Sequence, residues 1–269
     1  MKPTHIIALL LLPLNFLLTA CSGTSDETEE VTPAAKEHTV LAVLWQQNAA
    51  EYRALCYQAF NSAKRKIQRS HLSDQPLALI TDIDETVLDN SPYSGMQILY
   101  DRAFDREDWI EWGLQKSAKA LPGAVAFFRY ADSMGVEVFY ISNRYEEQLA
   151  ETLENMAALG LPNADPEHVF LKTISSEKQS RRDRVLQEHH VLMYLGDNLS
   201  DLSSVFDGQG TVQRNLLVDE LSDAFGDRFI VFPNAMYGDW ESKGIYESER
   251  DWTDAQRDSI RRAKVVSYK

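Results

Sequence analysis

Short apolar segments alternate with helical patterns through the middle of this sequence, and this alternation constrains the fold more than any other feature. The apolar segments have the length of strands, and they cover residues 77–80, 136–141, 169–171, 191–195 and 229–232. Continuous apolar runs are typical of strands that are covered on both faces. Because helical patterns separate them, we predict an α/β fold, a Rossmann-like parallel sheet with helices on both faces.

Amphipathic helices are predicted on both sides of this core. Apolar residues from Leu41 to Ile67 recur at three- and four-residue steps, which predicts a long helix before the first strand. Thr253 and Gln256 form a capping box that predicts a last helix. We expect these two helices to pack together as a small helical addition beside the sheet, where they would form a candidate homodimer interface.

The N-terminus has the pattern of an export signal. Lys2 precedes an apolar stretch over residues 6–18, which is shorter than the ~20 residues that a membrane-spanning helix needs. The stretch ends in Leu18-Thr19-Ala20-Cys21, which resembles a bacterial lipobox whose cysteine, Cys21, is lipidated. Cleavage elsewhere, with Cys21 incidental, is the alternative. Because Ser22 is not Asp, the resemblance to lipoprotein sorting rules points to a lipid anchor in the bacterial outer membrane.

The next segment has almost nothing to bury. Residues 22–37 consist largely of Ser, Gly, Thr, Pro, Ala and acidic residues, a composition typical of a disordered tether. We therefore divide the chain into a signal peptide at 1–20, a tether at 21–37 and a folded domain with its flanking helices at 38–269.

Charge and cysteine content exclude some functions. The net charge of −14 argues against a nucleic-acid partner, because no broad basic surface is left to neutralise phosphates. If Cys21 carries lipid, Cys56 is the remaining thiol, and its position on an apolar helical stripe predicts a buried, inert residue. Arg181, Arg182 and Arg184 are adjacent on a charged helix and are interpreted as a solvated face.

Polar clusters follow three of the predicted strands. They are Asp82 with Asp84, then Ser142-Asn143-Arg144, then Gly196-Asp197-Asn198, with Asp201 one helical turn further on. In such sheets ligands bind beyond the carboxyl ends of the strands, so we expect these clusters and Lys178 to converge on one crevice.

The expected crevice suits phosphoryl transfer. Gathered carboxylates repel one another, and Mg²⁺, which prefers oxygen ligands, would relieve this repulsion between Asp82 and Asp197 and attract a phosphate. Ser142 and Lys178 would bind the phosphoryl oxygens. One carboxylate can act as nucleophile, and a second, two residues further on, can act as general acid and base.

In their order, Asp-x-Asp-x-Thr, Ser/Thr, Lys and Gly-Asp-x-x-x-Asp resemble the motifs of the haloacid dehalogenase superfamily. Residues 79–93 and 191–202 further resemble the two-part signature of the class C acid phosphatases, which are bacterial lipoprotein 5′-nucleotidases. The resemblance runs from about Leu41 to Trp240. It departs at Leu202, a packing position where the signature usually has Phe.

The resemblance implies a role for each catalytic residue. Asp82 would be the nucleophile and a Mg²⁺ ligand, and Asp84 the general acid and base, with its backbone carbonyl on the metal. Asp197 would be the third protein ligand. Asp201 would hold the metal-bound water or orient Lys178.

The resemblance also implies the substrate contacts. Ser142 and Asn143 would bind the phosphoryl group, and Lys178 would stabilise its charge. Trp109 and Tyr237 match the family's leaving-group site, where two aromatic planes can hold a nucleobase without reading its hydrogen-bonding edge.

These features predict a lipid-anchored, Mg²⁺-dependent acid phosphatase and 5′-nucleotidase. It would hydrolyse nucleoside 5′-monophosphates through an aspartyl-phosphate on Asp82. Two alternatives stay open: a less specific or sugar-phosphate phosphatase of the same superfamily, and a non-enzymatic surface lipoprotein that binds a ligand on this fold.

Overall fold

The computed structural model describes residues 36–70, 73–249 and 251–269. The predicted signal peptide at 1–20, the lipidation site Cys21 and most of the predicted tether therefore lie outside the described residues. Within the described ranges, no helix combines the length and the apolar character that crossing a membrane requires.

Five parallel strands form the main sheet. The strands of the described residues are β1 (Leu77–Thr81), β2 (Leu88–Asp89), β3 (Lys119–Ala120), β4 (Val136–Tyr145), β5 (Val169–Lys172), β6 (His190–Gly196) and β7 (Phe229–Val231). The main sheet has the spatial order β5-β4-β1-β6-β7, while β2 and β3 form a separate antiparallel pair. The predicted parallel sheet is confirmed.

Helices connect and cover these strands. They are α1 (Val40–Asn48), α2 (Ala50–Arg69), α3 (Ser91–Leu99), α4 (Arg106–Leu114), α5 (Ala124–Ser133), α6 (Leu149–Leu159), α7 (Gln179–Glu188), α8 (Leu199–Leu202), α9 (Thr211–Glu220) and α10 (Asp254–Lys264). A π-helical segment, Trp240–Ile245, precedes α10. The capping box predicted at Thr253 is present at the start of α10.

Both faces of the sheet are buried, as continuous apolar strands require. Leu79 and Val138 belong to the core cluster on one face, and their neighbours Ile80 and Phe139 belong to the cluster on the other. Successive side chains of a strand point to opposite faces, so each strand contributes to two cores. This confirms the α/β class with helices on both faces.

The N-terminal helix differs from the prediction. It is two helices, since Ala49 has extended backbone angles between α1 and α2. The apolar stripe of α2 lies in the main core, where the Phe60 ring packs 5.2 Å from Phe127 and 4.7 Å from Phe232. A stripe this apolar is stabilised by burial against the sheet. The helix is thus a layer of the core instead of an addition beside the sheet.

The C-terminal helix does not share that core. Helix α10 contacts the π-helical segment and its neighbour Tyr246, whose hydroxyl accepts a hydrogen bond of 2.7 Å from Arg261. No residue of α10 is buried, which fits its highly polar composition. The expected pairing of the two terminal helices is therefore replaced by separate docking sites.

Candidate active site

The predicted polar clusters meet at the carboxyl edge of the sheet. Asp82 follows β1, and Asp197 and Asp201 follow β6. Carboxylate oxygens of these three residues all lie within 4.8 Å of one another. The Lys178 ammonium forms ion pairs with Asp82 and, at 2.8 Å, with Asp201. Residues more than 90 positions apart along the chain are thus brought into direct contact.

Burial and mutual repulsion perturb these carboxyl groups. Burial raises the pKa of Asp82 to about 7; Lys178 acts in the opposite direction, and Asp201 and Asp84 add to the rise. Burial, with Asp201 and Asp82 nearby, also holds the pKa of Asp197 well above its usual range. Burial alone would lower the pKa of Lys178, but Asp201 and Asp82 outweigh it and raise that pKa. The raised pKa values show that neither water nor Lys178 fully compensates the negative charge of these carboxylates.

The donor set fits a divalent cation. Three carboxylates against one ammonium leave two negative charges in a poorly solvated position. The oxygens are hard ligands of the kind that Mg²⁺, Ca²⁺ and Mn²⁺ prefer. Asp197 is held in place by Asn234, whose amide donates a hydrogen bond of 2.8 Å.

Asp84 is fixed by three donors. Ser142 donates to one carboxylate oxygen at 3.0 Å, and Asn90 and Arg144 donate to the other at 2.8 and 2.9 Å. Asp84 lines the same cavity as Asp82. The sequence placed Arg144 in the expected crevice without naming its partner, and it did not assign Asn90 to the site, although Asn90 lies in the first motif-bearing stretch. The signal in the sequence was a polar side chain at a position that the fold buries, as both Asn90 and Arg144 are.

A steric contact explains the glycine that precedes Asp197. A Cβ atom on Gly196 would lie 2.4 Å from the Cβ atom of Asp201. Asp201 folds back over Gly196, and its carboxylate accepts a hydrogen bond of 3.0 Å from the backbone N–H of Asn198. The Gly-Asp-x-x-x-Asp spacing thus allows Asp201 to reach Lys178.

Two arginines of α7 contradict the prediction of a solvated face. Arg181 and Arg182 are buried. Arg181 donates to the Ser142 carbonyl at 2.5 Å and to the Asn143 side chain at 2.7 Å. Arg182 donates to the carbonyl of Asp201 at 3.0 Å. Buried carbonyls need donors, and these arginines supply them to the loops that carry the site.

The exposed side of α7 is different. There, Arg184 is exposed and lies over the Phe170 ring at 4.2 Å, as the predicted solvated face requires.

A cavity of about 540 Å³ opens beside these carboxylates and contains both predicted aromatic residues. Trp109, on α4, packs edge-on against Tyr93 with ring centroids 5.0 Å apart. Tyr237 is 40% exposed, yet its hydroxyl points inward and donates to Glu85, a residue with no exposed surface. Asn143 is exposed at the same cavity.

Glu85 lies in the first motif, directly after Asp84. Its carboxylate accepts a hydrogen bond of 2.7 Å from the backbone N–H of Asn90 and another from the Tyr237 hydroxyl. Burial, followed by the nearby Asp84 carboxylate, raises the pKa of Glu85 to about 8. Glu85 therefore links the first motif to the loop that carries Tyr237.

Comparisons with known proteins agree with this geometry. The family model of the HAD superfamily, subfamily IIIB (acid phosphatase), matches residues 18–240. The structure of the class C acid phosphatase from Bacillus anthracis superimposes with a TM-score of 0.84 and 37% identity, covering 88% of this chain and 100% of that one. A second structure of that protein, with tungstate bound, is similar to the same degree, with 38% identity and a TM-score of 0.84 over 87% of this chain and 99% of that one.

Two plant proteins are more distant relatives. Acid phosphatase 1 of Solanum lycopersicum is 29% identical over 136 residues, 46% of this chain and 51% of that protein. A stem 31 kDa glycoprotein of Glycine max is 25% identical over 149 residues, 53% of this chain and 56% of that protein. The chain thus spans about half the length of these curated relatives.

The family match covers most of the chain, and the structural likeness covers the whole of its bacterial counterpart. The resemblance to the class C acid phosphatases is thereby confirmed, and so is the predicted class of enzyme. The chain belongs to the acid phosphatases of the HAD superfamily, subfamily IIIB, a family of phosphoric monoester hydrolases.

Proposed function

We propose that this protein is a Mg²⁺-dependent phosphomonoesterase that hydrolyses nucleoside 5′-monophosphates through an aspartyl-phosphate on Asp82. One observation carries the proposal. The Asp82 carboxylate lies against Lys178 in a cavity that also contains the fixed carboxylate of Asp84. This arrangement supports the proposed roles of Asp82 as nucleophile, Lys178 as charge-stabilising group and Asp84 as acid–base group around one cavity.

In the first step, a carboxylate oxygen of Asp82 attacks phosphorus and the bond from phosphorus to the ester oxygen breaks. Asp84 donates a proton to the leaving oxygen. In the second step, Asp84 takes a proton from water, whose oxygen attacks phosphorus, releases phosphate and restores the Asp82 carboxylate. Lys178 holds the phosphoryl oxygens during both steps, and Ser142 joins it when its hydroxyl turns from Asp84 to the phosphoryl group.

Asp82, Asp197 and the backbone carbonyl of Asp84 would hold Mg²⁺. The ion would neutralise charge on the phosphoryl group, which is the main requirement of this chemistry. Bound tungstate in the Bacillus anthracis protein supports an oxyanion site in this family, because tungstate has the tetrahedral shape of phosphate. We place the substrate phosphate between Asp82, Ser142 and Lys178.

The nucleoside is proposed to lie between Trp109 and Tyr237. Both residues line the catalytic cavity, and aromatic faces accept any nucleobase. We therefore expect activity on several nucleoside monophosphates. A less specific or sugar-phosphate phosphatase is the second candidate. It is favoured because the Tyr237 hydroxyl donates to Glu85 and is therefore not free to bind the edge of a nucleobase.

Phosphate release from a panel of nucleoside 5′-monophosphates and sugar phosphates tests the proposal. Chelation should abolish activity and added Mg²⁺ should restore it. Asp82→Asn should lose turnover while keeping its thermal stability, whereas Asp74→Asn, at an exposed aspartate, should behave like the wild type. Full activity of Asp82→Asn would refute covalent catalysis on Asp82. Unchanged kcat/KM for nucleotides in both Trp109→Ala and Tyr237→Ala would refute the aromatic site.

We further propose that Cys21 is lipidated and anchors the protein to the bacterial outer membrane. The support is the lipobox-like sequence that ends in Cys21. Cys21→Ser should abolish labelling by radioactive palmitate and release the protein from the membrane fraction. Labelling that persists in Cys21→Ser would refute this assignment. Light scattering of the purified protein tests the expected homodimer: a mass of one chain would refute it.

A further inference from the structure

Lys172 is a cation of the catalytic cavity that the proposed reaction does not use. It ends β5, where its register partner is Tyr145 at the end of β4. Both side chains line the cavity, and the ammonium lies 4.1 Å from the centre of the Tyr145 ring. Within the described ranges, Lys172 forms no ion pair, and its ammonium packs on this aromatic ring.

The charged neighbours of Lys172 are also positive. The Arg106 guanidinium lies 4.6 Å from the same Tyr145 ring and is paired with Glu147 at 2.5 Å. Arg181 donates to the side-chain oxygen of Asn143 and to the backbone carbonyls of residues 142, 170, 176 and 177. Burial, with Arg106 and Arg181, lowers the pKa of Lys172. Lys172 and Arg106 therefore lie against one tyrosine ring, where the Glu147 carboxylate is paired with Arg106.

Lys36 also lines the cavity, where the Glu241 carboxylate acts on its charge, and the two remaining cations are engaged in ion pairs. Lys178 is paired with Asp82 and Asp201, and Arg144 is paired with Asp84 at 2.8 Å. These contacts belong to the chemistry at phosphorus. Lys172 has no such partner, so an anion brought by the substrate would be its natural counter-charge.

We propose that Lys172, supported by Arg106, forms a second anion subsite that binds an additional phosphate on the leaving group of the substrate. The preferred substrates are then bisphosphorylated, such as nucleoside bisphosphates, of which one ester is cleaved while the other is held. Arg106 and Trp109 lie three residues apart on α4, and residues at this spacing share a helix face. The subsite therefore lies next to the proposed nucleoside site. This inference rests on the proposed phosphatase function.

Adenosine 5′-monophosphate and adenosine 3′,5′-bisphosphate provide the direct test, assayed with the Mg²⁺-loaded wild type and three variants. The wild type should prefer the bisphosphate by about tenfold in kcat/KM, the effect of one charge-assisted contact at a partly exposed site. Lys172→Gln should lose this preference through KM, with kcat and the monophosphate reaction unchanged. Lys172→Arg should retain it. The wild-type preference should shrink as salt is added, because a partly exposed charge is screened.

Lys64→Gln is the matched control. Lys64 also lies over a tyrosine ring, 4.5 Å from the centre of Tyr130, but it is exposed and outside the catalytic cavity. It should leave both reactions unchanged. Equal kcat/KM of the wild type for the two nucleotides, or an equal loss for both in Lys172→Gln, would overturn the subsite.

A substrate pair without a nucleobase separates this inference from the proposed nucleotidase activity. Fructose 6-phosphate and fructose 1,6-bisphosphate are compared in the same variants. A preference for the bisphosphate that Lys172→Gln abolishes supports the subsite even if no nucleotide is hydrolysed. Nucleotide hydrolysis without any bisphosphate preference supports the nucleotidase and overturns the subsite.

Discussion

Gly196→Ala should uncouple Asp201 from Lys178 without touching either residue. The new methyl group would lie 2.4 Å from the Asp201 Cβ and 2.8 Å from one of its carboxylate oxygens. Carbon atoms in contact normally lie ~3.5–4.0 Å apart, so Asp201 must move by at least ~1 Å. The Lys178–Asp201 contact of 2.8 Å would then exceed hydrogen-bonding length.

The size of the effect follows from this displacement. A shift of ~1 Å near reacting groups can lower kcat by about 100-fold. Overpacking of this kind costs about 1–3 kcal/mol of unfolding free energy, or roughly 2–12 °C in Tm for a domain of this size. Steady-state kinetics on a phosphomonoester and a thermal melt measure both effects.

A second glycine serves as the control. Gly95 is inside α3, and a Cβ there would meet its nearest neighbour, Gln47, at 3.8 Å, an ordinary contact. Gly95→Ala should keep full activity and gain up to about 1 kcal/mol of stability. If Gly196→Ala acts through Asp201, adding it to Asp201→Ala should lower kcat little further. Wild-type kcat and Tm in Gly196→Ala would refute the reasoning.

Three further perturbations follow from the site and the core. Arg144→Met should lower the unfolding free energy by about 3–5 kcal/mol and slow the reaction, because it leaves Asp84 without its buried partner. Urea melts and kcat measure these two effects, and unchanged values would contradict the prediction. Tyr237→Phe should lower Tm by roughly 2–12 °C, since Glu85 loses a buried donor worth about 1–3 kcal/mol, while KM for nucleotides stays near that of the wild type because the ring remains. Burial raises the pKa of Cys56 from 9.0 to about 11, so its contribution to stability is complete below pH 9.0 and is lost as the pH rises to about 11. Its thiol should resist a disulfide reagent at pH 8 until the protein is unfolded, and rapid labelling of the native protein would contradict this.

Sequence reasoning was most successful where the relevant information is local. The run at 136–141 predicts a strand because it is apolar throughout, and β4 confirms it while extending to Tyr145. Asp82 and Asp197 were predicted to lie together because parallel strands end at one edge of a sheet, and the structure brings their carboxylates within 4.8 Å. The catalytic roles assigned to them remain proposals.

It failed where packing between distant elements decides. The three arginines of α7 look alike in sequence, yet Arg181 and Arg182 turn inward while Arg184 stays exposed. Periodicity cannot distinguish an arginine in water from one satisfied by buried carbonyls. The same limit applies to Arg144, whose partner Asp84 lies 60 positions earlier in the chain.

The amino-acid sequence by itself determined the α/β class and the identity and order of the polar groups at the strand ends. Both depend on apolar patterning over a few residues and on a general rule of parallel sheets. Only the tertiary structure decided that α2 is part of the core, that Tyr237 is tied to Glu85, and that Lys172 lines the cavity over the Tyr145 ring. These contacts join residues far apart in the chain, and they are set by the way whole helices and strands pack, which no local pattern encodes.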